Sequence, residues 1–539
     1  MVRFGICLGF ILAQPVVGPV CAEVPDVSTT LEAQFGTVSE GAHPPGALEL
    51  QAWEGPQEVL EFYARREFAP AWEDPERLRH LTVALGSLID DGLDPRDYDL
   101  PALEAWLRDT SWDPTALVEA ELRATGALLR ALHHLTSGRL DPDEAEAIWM
   151  HRPARDEARQ RARVMELATA ALEDMPAAFS RARPDAELYA VLRETHAGLR
   201  REVLEPEAPM IPGGALLREG SIDPRVPALR ERLDPLVPGA DAGPASTELY
   251  GPALVAAVKA FQRSHALESD GIVGPDTLEA LNRSRRERLD QVRVNLERLR
   301  WASALTPTDL VRVDLAGGAV DVLRDGQSIW HARVQIGRPS RPSPSLLSEI
   351  THLTFNPTWT VPPTILREDT LPTVRRDPDF LERNRMRVFD GSGRELSADA
   401  VDWGQPTGIV LRQDPGPFNA LGKVAIRFPN PFLVFLHDTP SQGLFEREQR
   451  AFSSGCVRVE RARELVEVLL RNESETRRLE AIRLLEGDET RDFHLARPMP
   501  ILMIYRTVGL GTDGELVFRP DIYQRDAALA RALDEATRQ

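Results

Sequence analysis

Between residues 56 and 171 apolar positions recur three and four apart, the period of helices that bury one face. Leu78, Leu81, Leu85, Leu88 and Ile89 make the clearest stripe, closed by Asp91-Gly92. Leu60, Tyr63 and Ala64 mark an earlier turn, and further helices are predicted around residues 117–135 and 157–171. Such stripes pack a core, and no residue in them stands out as an acid, base or nucleophile. Residues 222–282 keep the helical period in a smaller unit, running from Val226-Pro227-Ala228-Leu229 through Phe261-Gln262 to Asp270-Gly271 and Gly274-Pro275. The glycines supply turn geometry, and Pro275 suits a first helical turn. A charged connecting helix is predicted over 283–305, with Leu289, Val292, Leu296 and Leu299 on one face.

From Leu310 the period changes to two. Val311, Val313 and Leu315, then Val320 and Val322, then residues 329–336 alternate as strands, with Gly317-Gly318 and Asp325-Gly326 as hairpin turns. Further strands are predicted at 350–356, 409–413, 424–428 and 432–437, and the apolar run 501–505 adds a last one. Residues 364–404 interrupt this pattern with charged, turn-prone sequence and a helix near 367–377.

At 539 residues the chain exceeds a single core and divides into three or more domains. A net charge of -20 argues against nucleic acid as a partner, since that would need a basic surface. Residues 1–22 combine Arg3, an apolar stretch over 4–13 and Val20-Cys21-Ala22, the pattern of a cleavable export signal. Cleavage after Ala22 and delivery to the periplasm are expected. That stretch is too short to span a bilayer, and no later run reaches about 18 apolar residues, so no stable membrane segment is expected after cleavage. Residues 23–52, rich in Pro, Gly, Thr and acids without period, read as a flexible leader.

Export changes the weight of the cysteines. Cys7 and Cys21 fall in the signal, which leaves Cys456 as a lone thiol in an oxidising compartment. A free cysteine is ordinarily a small buried hydrophobe. Here Gly455 lets the backbone turn sharply, Arg458 adds positive charge, and the helical spacing of Ala462, Leu465, Val466, Leu469 and Leu470 puts Cys456 just before a helix N-terminus. That position favours a thiolate. His437 closes an apolar run nineteen residues earlier and can serve as general base, provided something orients the imidazole. The sequence has no His-Glu-x-x-His and no Cys/His cluster with zinc spacing, so neither a metal nor another cofactor is expected.

His437-Asp438-Thr439-Pro440 followed by Ser453-Ser454-Gly455-Cys456-Val457-Arg458 resembles the signature of L,D-transpeptidases with the YkuD-type catalytic domain, which cross-link peptidoglycan stem peptides through a cysteine. Asn356-Pro357-Thr358-Trp359, Pro415-Gly416-Pro417-Phe418-Asn419 and Asp521-Ile522-Tyr523 resemble the larger YcbB-like subgroup in particular. Ser454 stands where many members of the broader family carry histidine, and serine is common there in the subgroup. Phe62-Tyr63-Ala64-Arg65 and Gly138-Arg139-Leu140-Asp141-Pro142 resemble that subgroup's helical scaffold, and residues 222–282 resemble the peptidoglycan-binding domain type 1.

The resemblance implies a multidomain α+β protein: signal 1–22, leader 23–52, helical scaffold 53–205, small three-helix peptidoglycan-binding module 222–282, connecting helix 283–305, mostly β catalytic domain 308–508 with a capping insertion 364–404, and a tail 509–539. It also implies that Cys456 attacks the donor stem peptide between its third residue and a terminal D-alanine, with His437 as base and the amine of a second stem as acceptor. Gly455 and Cys456 offer backbone N–H groups for an oxyanion hole, Asp438 orients His437 through its backbone, and Arg458 and Ser454 belong to the loop. Asn356 and Trp359 are candidates to line the groove. Stem peptides and glycan strands are the implied partners, and carbapenem-type β-lactams the implied inhibitors. Two other readings stay open: a hydrolase in which water takes the same thioester, and a catalytically silent wall-binding protein. A papain-like peptidase fits less well, because there cysteine precedes histidine.

Overall fold

The alternating residues after Leu310 do form strands, and those strands close into a barrel. The structure, a computed structural model, describes residues 27–36, 56–108, 114–146, 149–150, 155–237, 247–305, 307–377, 379–511 and 513–538. The expected export signal lies outside them. The described strands are β1 Trp149–Met150, β2 Leu310–Asp314, β3 Ala319–Arg324, β4 Gln327–Gly337, β5 Ser345–Phe355, β6 Trp359–Thr360, β7 Met386–Asp390, β8 Glu395–Leu396, β9 Ile409–Gln413, β10 Val424–Arg427, β11 Leu436–His437, β12 Ala451–Ser453, β13 Val457–Val459, β14 Arg491–Ile504, β15 Val508–Leu510 and β16 Leu516–Phe518. The main sheet runs β5-β10-β11-β13-β4-β3-β2-β14, and β14 pairs back onto β5, so no edge is left along that circuit. Alternate residues fill the inside with Val313, Val334, Leu353, Ile426, Leu436, Val457 and Ile501, all buried. Their sequence neighbours point outward.

Two of the expected strands are present but sit in a wider context, and a third is much shorter than expected. Residues 409–413 are extended, but as β9 they pair with β6 and β7 in a separate four-stranded sheet, order β6-β9-β7-β8. The insertion is therefore a small unit spanning 359–413, wider than 364–404, with its own core of Val361, Val374, Leu381, Val388 and Leu411. Its predicted helix is a continuous helical run over 363–376 with a π turn at Leu366–Thr370. The apolar run 432–437 is strand only at Leu436–His437. Asn430 folds the preceding segment, its amide donating to the carbonyls of Phe428 and Val434 and its oxygen accepting from the Val434 N–H. Leu433 sits there with φ 56°, 83% exposed. Finally, 501–504 is the apolar end of a fourteen-residue strand that starts at Arg491 and whose pairing is broken by a bulge between His494 and Met499, with Tyr505 just past the strand's end.

The scaffold is helical as predicted, with Leu78, Leu81, Leu85 and Leu88 all buried. Asp74 caps the helix Pro75–Gly86 by accepting from the Glu76 N–H. Gly92 ends the stripe at φ 74°, and a Cβ there would lie 2.9 Å from Arg293 Cγ, so glycine is needed for the close approach of the connecting helix. Residues 27–36, read as part of a flexible leader, instead form a helix. Val27 and Leu31, four apart, pack into the scaffold core, and that one-turn pair is too short to register as a period.

In the small module, helices Val226–Leu233, Pro252–Ser264 and Pro275–Asn282 surround Leu229, Leu254, Val258, Phe261 and Leu281. The Phe-Gln pair has a plain division of labour. Phe261 fills the core, while the Gln262 amide donates to Asp270 Oδ1 and the Ile272 carbonyl, and its oxygen accepts from the Gly271 N–H, which fixes the turn.

The helix Arg285–Leu305 is more than a connector. Several of its charged side chains are buried and paired: Arg298 Nε to Glu146 Oε1 at 2.8 Å and Nη1 to Asp526 Oδ1 at 2.6 Å, and Arg300 Nη2 to Glu297 Oε2 at 2.6 Å. The segment 509–539 is likewise no loose tail. β15 and β16 pair as a hairpin, and the helix Asp526–Arg538 sets Leu529 and Leu533 against Val294 and Trp301. Removing one partner of a buried ion pair strands the others without water. Arg298→Met is expected to destabilise the protein by about 3 kcal/mol, measured by urea denaturation. A loss below about 1 kcal/mol, the level of an exposed pair, would mean that the network contributes no more than surface charge.

Candidate active site

Cys456 and His437 come together through strand register. β11 and β13 run parallel, with Leu436 opposite Val457 and His437 opposite Arg458. One step earlier the Val457 N–H donates to the Phe435 carbonyl. Leu436 and Val457 face the barrel core, so Phe435, His437, Cys456 and Arg458 share the outer face. Cys456 is half-buried and is the free cysteine among the described residues.

His437 is buried, and its Nδ1–H donates to the main-chain carbonyl of Asp438 at 2.5 Å. A carbonyl can only accept, so the proton sits on Nδ1 and Nε2 keeps its lone pair. Burial first, then the positive charges of Arg458 and Arg427, push the imidazole down to a pKa of about 3, partly offset by the Asp438 carbonyl. The Asp438 carboxylate does other work: Oδ2 accepts from the Lys423 N–H at 2.8 Å. Gly422, at φ 60°, leaves room for it, since a Cβ there would lie 2.3 Å from that oxygen.

The thiol does not sit where the sequence pattern put it. The predicted helix is present as Ala462–Leu469, but β13 lies between it and Cys456, so no helix N-terminus faces the sulfur. Burial pushes the Cys456 thiol up, opposed by hydrogen bonding at Phe435 and by the charges of Arg427 and Arg458. At neutral pH the resting pair is a neutral thiol beside a neutral imidazole. Alkylation of Cys456 by iodoacetamide is therefore expected to keep rising with pH through and beyond the ordinary thiol pKa of about 8.5. A rate already flat at pH 7 would signal a preformed thiolate.

The turn before Cys456 is tightly held. Gly455 takes φ 114°, a conformation that L side chains rarely adopt. Its N–H donates to Ser453 Oγ at 3.2 Å and its carbonyl accepts from Ser343 Oγ at 2.7 Å. This corrects its place as an oxyanion donor, because the N–H is already engaged. The Cys456 N–H makes no hydrogen bond among the described residues. Ser454 Oγ accepts from Arg341 Nη1, and Arg341 also pairs with Glu368 and Asp369 of the insertion, both at 2.6 Å. The capping unit is thus tied directly to the cysteine loop. Tyr523 Oη donates to the Gly337 carbonyl and accepts from the Ser343 N–H, bracing the same loop from below.

Arg458 Nη1 donates to Gln335 Oε1 at 3.1 Å, which pins β13 to β4. Asn356 does not line a groove: it is buried at φ 44°, its amide donates to the Leu484 carbonyl at 2.8 Å, and its own carbonyl accepts from Thr490 Oγ1. Trp359 packs at the margin of the insertion core. Sequence reading passed over Arg341, Ser343 and Gln335 and named Ser453 and Tyr523 only as parts of motifs; the roles of all five appear once the strands are paired.

Residues 308–481, which include both His437 and Cys456, match the family model of the L,D-transpeptidase catalytic domain. The chain carries an L,D-transpeptidase domain. Residues 57–195 match the scaffold domain, and 223–281 match the model described as "Putative peptidoglycan binding domain". A Haemophilus influenzae protein named "Putative L,D-transpeptidase" is 32% identical over 219 residues, a match covering 40% of this chain and 44% of that protein. The chain thus spans less than half the length of this curated relative. Among solved structures, the L,D-transpeptidase from Mycobacterium smegmatis is similar at 13% identity and TM-score 0.16, covering 36% of this chain and 58% of that one. One from Xylanimonas cellulosilytica gives 18% and 0.15, covering 56% and 100%. Among the described residues, no helix is long and apolar enough to cross a membrane.

Proposed function

We propose that this protein is a periplasmic L,D-transpeptidase that joins peptidoglycan stem peptides by 3-to-3 cross-links through a thioester on Cys456. The observation that carries this reading is the shared outer face of β11 and β13, with the Nδ1–H of His437 committed to the Asp438 carbonyl and Nε2 left as base. The donor is a tetrapeptide stem. As Sγ bonds to the carbonyl carbon of its third residue, His437 Nε2 takes the thiol proton. The oxyanion is met by the Cys456 N–H, a donor of a kind worth about 3 to 4 kcal/mol. The carbon–nitrogen bond then breaks, the imidazolium proton passes to the departing amine, and D-alanine leaves. The side-chain amine of a second stem attacks the thioester, gives its proton to Nε2, and Sγ leaves as thiolate and recovers that proton. Glycan strands are held by the module at 222–282.

Incubation with purified tetrapeptide muropeptides tests the reading by mass spectrometry. A cross-linked dimer that has lost one alanine is expected. Tripeptide alone would mean that water takes the thioester, and no loss of alanine would leave a wall-binding protein. Carbapenems offer the same kind of strained acyl carbonyl with no group to expel, so the whole drug mass is expected on wild type and not on Cys456→Ser. An adduct that survives in the serine variant would place the reactive centre elsewhere.

A further inference from the structure

Arg427 is conspicuous on the outer face because, among the described residues, no carboxylate forms a direct ion pair with it, and Asp492 acts on it only through its charge. It ends β10, opposite His352 of β5, and continuing the β10–β11 register sets it opposite Phe435, which lies opposite Cys456. Its guanidinium carbon lies 3.9 Å from the centroid of the Phe435 ring, and its charge acts on the Cys456 thiol. It is half-buried, yet among the described residues its guanidinium forms neither a hydrogen bond nor an ion pair. Several other partly buried arginines are paired: Arg333 binds Glu446 and Glu460, Arg341 binds Glu368 and Asp369, and Arg506 and Arg519 share Asp314, while Arg412 of the insertion likewise rests on a ring, that of Phe389, but in a sheet separate from the thiol's strands. Even Arg458, the second cation near the thiol, has the Gln335 amide oxygen. Partial burial of a guanidinium costs free energy, and a guanidinium resting on an aromatic ring still has N–H groups to offer a carboxylate.

We infer that Arg427 is a specificity residue that binds the C-terminal carboxylate of the donor peptide, the carboxylate of the residue that leaves. This rests on the transpeptidase reading above. One extended residue reaches about 3.5 Å, so that carboxylate lies close to a scissile carbonyl seated at Cys456, on the same row of outward side chains. A peptide ending in a free acid one residue past the scissile bond is then bound in register. A donor that is amidated or extended there leaves the guanidinium without its anion.

The test compares a tetrapeptide donor bearing a free C-terminal acid with its C-terminal amide, following release of D-alanine or D-alaninamide. Wild type is expected to favour the acid at least tenfold in kcat/KM. Arg427→Met should lose that preference, with KM rising for the acid far more than for the amide, and Arg427→Lys should keep part of it. Absence of preference in wild type overturns the inference. So does an equal loss on both donors in Arg427→Met, above all with a shifted pH profile of Cys456 alkylation, since Arg427 would then only tune the thiol or support the fold. Release from neither donor by wild type overturns the transpeptidase reading and this inference with it.

Discussion

Cys456→Ala is expected to lower the release of D-alanine from a tetrapeptide donor by on the order of 10⁴-fold or more, the scale on which enzymes lose a covalent nucleophile. The prediction is severe because among the described residues no second cysteine exists to substitute. Sγ is also the atom that must form the new bond, so its loss cannot be repaired by a neighbouring base. The side chain is half-buried and the turn before it is held by Ser343, Ser453 and Gly455 through backbone and hydroxyl groups that the substitution leaves intact. The thermal midpoint should therefore stay close to wild type. Turnover above background in a folded Cys456→Ala variant would remove the nucleophile from this account.

His437→Ala should produce the next largest effect, a fall of about 10²- to 10⁴-fold, the usual worth of a positioned general base. The sulfur remains, and because it rests as a neutral thiol, slow alkylation should survive at alkaline pH while acyl transfer is lost. The pH behaviour follows from the depressed pKa of about 3 in the folded protein. The unfolded chain takes up a proton on this imidazole near pH 6.5 and the folded one does not. The histidine thus disfavours the folded state progressively as pH falls from about 6.5 towards 3 and has no effect above that window. In the active range it is always available as base. An acid limb in kcat/KM near pH 6.5 that vanishes in His437→Ala would mean that the imidazole is solvated in the working enzyme.

The sequence carried a good deal of this architecture, for identifiable reasons. Hairpins at Gly317-Gly318 and Asp325-Gly326 were legible because turn chemistry and period two coincide there, and the scaffold stripe because Leu78 to Leu88 repeats with helical spacing. Cys456 and His437 were legible as a motif. What the sequence could not express was neighbourhood. Closure of the barrel depends on β14 pairing with both β2 and β5, and the first half of β14 has no strand signature of its own. β9 has a strand's composition but another sheet's partners. The thiol's environment was misjudged because three residues of strand intervene before the helix, and Gly455 was misjudged as a donor because the Ser453 hydroxyl folds back onto it. Arg427 joins the site only when β5, β10, β11 and β13 are set side by side.

The most direct measurement is intact-protein mass spectrometry of wild type mixed with a tetrapeptide donor and quenched in acid before acceptor is added. The account predicts a mass increase equal to the donor minus D-alanine, located on Cys456 after digestion and missing from Cys456→Ala. An acyl group carried by any other residue, or D-alanine released at an undiminished rate by Cys456→Ala, would contradict it.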